Sequence, residues 1–214
     1  MTEPSQMPGA DAIAPLFTRP EGGYFFARWG RPIVPVVFGA DAATLALMKG
    51  AIEAVVALAG HKMAETDAEL GANLMIFLFR DWQELLEVPN LDRMIDGLAG
   101  TVARLEAAGA NQYRSFRFDE AGAIRACFSF IRLDAALAGL PAETIALNQA
   151  VRMILAWGEA AFAAQSPLAE AQGVAVLRAD LAALIRAAYD PVLPASASDP
   201  SHALRLAARL AAQG

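Results

Sequence analysis

An α+β fold built on a single mixed or antiparallel sheet is the architecture that the sequence predicts, and three observations carry it. β-branched and aromatic runs of strand length are concentrated in the first two thirds of the chain, a hairpin signal lies at residues 112–133, and the chain beyond Pro141 reads as long helices. With 214 residues, 56% hydrophobic and 19% charged, there is ample apolar material for a core.

Residues 1–22 contain Pro4, Pro8, Pro15 and Pro20 with little apolar periodicity, and read as an extended or disordered arm; one α+β domain is then expected over 23–214. Tyr24–Trp29 and Ile33–Phe38 surround Gly30-Arg31-Pro32 as two strands about a turn, and Pro35 places the second at an edge or bulge. Asp41 caps a helix from Ala42 to about Ala59, in which Leu45, Met48, Ile52, Val55 and Val56 recur at helical spacing. Asn73–Phe79 is nearly all apolar, as a strand covered on both faces must be.

Asp81–Val88 reads as a short helix stopped by Pro89, and Leu91–Ala108 as another closed by Gly109. Gln112–Phe118 and Ala123–Leu133 flank the turn Asp119-Glu120-Ala121-Gly122 as a hairpin. Alternation sends Ile124, Ala126, Phe128 and Phe130 to one face, and Arg125, Cys127 and Ser129 to the other. Pro141 opens a long helix to about Ala164, with Trp157 at a helical core position, and Val174–Tyr189 forms a second. A polar linker over 196–201 leads to a last helix, capped by Asp199.

A net charge of -6 and an isoelectric point near 4.9 argue against a nucleic-acid partner, which needs a surplus of Lys and Arg on one face. Only Lys49 and Lys62 accompany the arginines; this excess reads as a coding bias and nominates no site. Mean hydropathy is high at +0.37, but Lys49 and Glu53, then Arg152 and Glu159, interrupt the longest apolar stretches, so no membrane span is expected. Glu3 and Asp11 occupy a start without a basic n-region, so no signal peptide is read and the cytoplasm is the expected compartment. Cys127 stands alone, which excludes an intramolecular disulfide framework and a Cys-rich zinc site.

Neither a dinucleotide fingerprint, nor a Walker loop, nor a Gly-x-Ser-x-Gly elbow occurs. His61 and His202 are the only imidazoles, which leaves a Ser–His mechanism little to work with. His61 and Glu65, four apart, would share a helix face, with Asp67 and Glu69 following; these residue types could hold a divalent ion. A solvated connection is the competing reading of that charged stretch, and His202 reads as a surface residue.

Residues 146–162 (Ala-Leu-Asn-Gln-Ala-Val-Arg-Met-Ile-Leu-Ala-Trp-Gly-Glu-Ala-Ala-Phe), followed by Leu177-Arg178-Ala179-Asp180-Leu181 and Ala188-Tyr189-Asp190-Pro191-Val192-Leu193, resemble an uncharacterised bacterial family of zincin-like domains. The resemblance implies a zincin-like architecture over residues 24–194, in which a hairpin strand before a long helix places substrate beside the metal helix. Active zincins need His-Glu-x-x-His, two imidazoles one turn apart for zinc and a Glu to activate water. The matching positions here are Asn148, Gln149 and Arg152, and no His lies between His61 and His202. The resemblance therefore implies a pseudoenzyme without metal or other cofactor, acting by binding a protein partner or a small ligand in the vestigial cleft. The alternative is a metal-dependent hydrolase with an unconventional site around His61 and Glu65.

Overall fold

The computed structural model describes residues 8–213. Its first element corrects the expectation of an extended arm: α1 (Ala10–Ile13) runs into a 3-10 turn over Ala14–Phe17, and Ile13 and Phe17 are both fully buried. Pro15 sits in the first turn of that segment, where a missing N–H costs no hydrogen bond, so the proline content hid a docked helix. Residues 1–7 of the expected arm lie outside the described residues.

After the short β1 (Phe26–Ala27), the chain enters its main sheet at β2 (Pro35–Phe38). The Asp41 carboxylate accepts from the Thr44 amide at 2.7 Å and starts α2 (Ala42–Leu58), which leads to β3 (Leu74–Phe79). A 3-10 turn over Trp82–Glu87, with a capping box between Asp81 and Glu84, replaces the expected short helix. The next expected helix is two, α3 (Leu91–Met94) and α4 (Leu98–Ala107), separated at Gly97, whose φ of 65° no helix tolerates.

The hairpin forms as expected from β4 (Gln112–Phe118) and β5 (Ile124–Arg132). The main sheet has the order β2-β3-β5-β4; the first three strands are parallel and β4 is antiparallel at one edge. Leu74, Ile76, Leu78, Cys127 and Ile131 face a core shared with α2. Phe77, Phe79, Phe128 and Phe130 face a second core with Trp82, Leu91 and Val102. Phe118 pairs with Ile124 and Arg117 with Ala126, so Arg125 is an extra residue, and this bulge turns Ile124 to the Cys127 side rather than the Phe128 side.

Beyond α5 (Ala135–Ala138), α6 (Ala142–Ile154) ends ten residues before the expected Ala164. Three ring donors occupy its last carbonyls: the indoles of Trp157 and Trp29 donate to Val151 and Met153, and the Tyr189 hydroxyl to Ile154, each at 2.8 Å. Leu155 is extended and bridges to Arg28, and the Gly158 amide donates to the Leu16 carbonyl. A Cβ on Gly158 would lie 2.4 Å from the Thr18 carbonyl oxygen, so this close approach to the N-terminal segment requires glycine.

The expected helix from Val174 is likewise divided. β6 (Leu168–Ala171) and β7 (Val174–Leu177) form a hairpin through Gln172 and Gly173, both with positive φ, and α7 (Ala179–Ala188) follows. Part of the expected polar linker is β8 (Ser196–Ala197), which pairs with β1, before α8 (Ser201–Gln213). The class is α+β, but among the described residues the strands form three sheets rather than one, because the two small ribbons draw on segments that read as helix and linker. Among the described residues no helix is long and apolar enough to cross a membrane.

Candidate functional site

Strand alternation puts Gln112 and Arg114 on the same face of edge strand β4, and α6 brings Gln149 against them. Arg114 Nη1 donates to Gln149 Oε1 at 3.0 Å, and Gln149 Nε2 donates to Gln112 Oε1 at 2.9 Å. Gln149 is 1% exposed, so both ends of its amide are satisfied inside the protein, as burial demands. One turn along α6, Arg152 Nε donates to Asn148 Oδ1 at 2.7 Å, and its guanidinium carbon lies 4.9 Å from the centre of the Phe162 ring. Asn148, Gln149 and Arg152 therefore face one another or β4, and the two amides each orient an arginine.

A cavity of about 230 Å³ opens beside this network, bounded by Arg104, Arg114, Arg152, Trp157 and Phe162, with Glu159 also contributing. Burial and the Arg152 guanidinium push Arg114 down to about 10, and burial lowers Arg152 as well. The ion pairs among the described residues use Arg31, Arg132, Arg178 and Arg209, and none uses Arg104, Arg114 or Arg152. Beneath Arg114, the Cys127 thiol is buried and pushed up to about 12, which keeps it a neutral thiol rather than a thiolate nucleophile. The cleft is equipped for charge and hydrogen-bond recognition.

Gln112, Arg104 and Arg114 were missed as site residues. Period-two alternation in β4 pairs Gln112 with Arg114 on one face, but reading the arginine excess as coding bias discarded that signal. Trp157 belongs to the cavity wall and to the end of α6, outside any helix, which corrects its expected helical position.

The alternative metal site does not assemble as expected. α2 ends at Leu58, Gly60 has a positive φ, and residues 61–67 are irregular, so His61 and Glu65 share no helix face. His61 Nε2 lies 2.8 Å from the Arg31 carbonyl oxygen, its ring packs on Tyr189, and burial lowers its pKa. Asp67 and Glu69 are engaged by Arg31. No group of three or more His, Cys, Asp or Glu placed to hold a metal occurs among the described residues. His202 is not a surface residue: it is 2% exposed, beside Phe26, with Nδ1 3.0 Å from the Tyr24 hydroxyl.

No family model, curated protein or solved structure matches this chain.

Proposed function

We propose that this protein is a non-catalytic, zincin-like domain that acts by binding a small ligand in the cleft between β4 and α6. The observation that carries the reading is that Asn148 and Gln149 are engaged in amide–guanidinium hydrogen bonds to Arg152 and Arg114, the two arginines that line the cleft. A catalytic zinc needs at least three protein ligands and a carboxylate to take a proton from bound water. At these positions the chain has two neutral amides and a guanidinium, whose positive charge repels a cation. The placement of β4 beside α6 supports the zincin-like part of the reading, since that is where the resemblance puts the substrate strand. The concave shape and small volume of the cavity, about 230 Å³, favour a small ligand over a protein partner.

Incubation with casein, with and without added zinc and chelator, tests the reading. No chelator-sensitive cleavage is expected; such cleavage would overturn it.

A further inference from the structure

The cleft gathers positive charge in a chain whose net charge is -6. Arg114 and Arg152 line the same cavity, close enough for Arg152 to depress Arg114, and among the described residues neither they nor Arg104 has a carboxylate within ion-pair distance. Desolvated charges in folded proteins are paired, because an unpaired one forfeits its hydration without return. Two neighbouring guanidiniums that are both unpaired are therefore the counterpart of an anion.

Each guanidinium is also oriented. Gln149 accepts from Nη1 of Arg114 and Asn148 from Nε of Arg152, while Phe162 supports the face of Arg152. Each arginine thus spends a donor on being held, and has further donors in a planar fork that matches two oxygens.

The remaining lining selects among anions. Glu159 borders the same cavity, and Arg152 stands in the last turn of α6, at the negative pole of the helix. Both oppose a phosphate dianion more than a monoanion. Trp157 and Phe162 offer an apolar wall. A volume of about 230 Å³ is smaller than pockets that enclose drug-sized ligands, at ~300–1,000 Å³.

We propose that the cavity takes a small organic carboxylate, its oxygens held by Arg114 and Arg152 and its apolar part facing Trp157 and Phe162. The proposal rests on the binding reading above and names its ligand class. Asn148 and Gln149 are positioning residues: they act on the ligand through the arginines they orient.

Calorimetric titration of the full chain at low salt and pH 7 with acetate, benzoate, inorganic phosphate and the cation benzamidine tests it. Acetate or benzoate should saturate one site, with phosphate weaker and benzamidine silent. Arg152→Gln should weaken carboxylate binding about tenfold or more, the loss expected for a charge-assisted hydrogen bond. Arg152→Lys keeps the charge without the fork and should retain partial binding; matching thermal unfolding of the variants confirms that they fold. Asn148→Ala leaves both arginines in place and should also weaken carboxylate binding. Phosphate binding more tightly than either carboxylate, no saturation by either carboxylate, or carboxylate affinity unchanged in Arg152→Gln would overturn the proposal. Failure of the binding reading is distinct, because it would appear as chelator-sensitive proteolysis by the unmodified protein.

Discussion

Arg152 donates from Nε to Asn148 Oδ1 at 2.7 Å, four residues back along α6. In an active zincin the same spacing holds two imidazoles around zinc; here it fixes a guanidinium at the mouth of a cavity. The helical geometry that serves a metal serves equally to orient a charge.

Introducing His-Glu-x-x-His by Asn148→His, Gln149→Glu and Arg152→His should bind zinc only weakly. The third ligand would have to come from Glu159, Glu170 or Asp180. Asp180 is paired with Arg178 and Glu170 lies on the exposed β6–β7 hairpin, which leaves Glu159. Competition against a chelating dye measures the affinity; zinc held as tightly as in a natural four-ligand site would contradict this arrangement.

The N-terminal segment is a structural part of the cleft. Phe17 is fully buried and stacks on Trp157 with ring centres 5.2 Å apart, and Trp157 both lines the cavity and caps α6. Phe17→Ala should cost about 3–5 kcal/mol, the usual loss for a large aromatic removed from a core. Deleting residues 1–20 should lower the melting temperature strongly, since Ile13 is lost as well. A deletion variant that melts with the intact protein would contradict the docking of this segment.

Burial, together with the nearby Arg205, lowers the pKa of His202 to about 4. Unfolding restores the ordinary value near 6.5, so between about pH 6.5 and 4 the unfolded chain binds more protons and stability falls as pH falls. The contribution is at most about 3 kcal/mol, present above pH 6.5 and gone below 4. Lowered Asp41, Asp67, Asp134 and Asp199 act in a lower window, below their ordinary value of 3.8. Urea unfolding from pH 7 to 4 should show this slope, and His202→Phe should reduce it, leaving the part that the lowered His61 contributes; an unchanged slope would mean that His202 is not its source.

Local signals were legible in the sequence because their causes are local. The Asp41 cap, the apolar run of β3 and the turn between β4 and β5 each depend on residues within a few positions. The end of α6 was not, since Trp29 and Tyr189 cap it from 124 and 35 residues away. His202 likewise owes its burial to Tyr24, 178 residues distant, and nothing in its own helix marks it. The β6–β7 hairpin did carry a signal, Gln172-Gly173, but Val-Ala-Val-Leu suits a helix or a strand, and a helix reading absorbed it. At the cleft, Asn148, Gln149 and Arg152 were legible through the resemblance, whereas Gln112 and Arg114 reach them only through the pairing of β4 and the packing of α6.

The metal content of protein purified without chelator tests the central claim most directly. If Asn148 and Gln149 hold Arg152 and Arg114 in place rather than a metal, zinc, manganese and iron should each be far below one atom per chain by elemental analysis. One equivalent of any of them, retained through gel filtration, would contradict the claim.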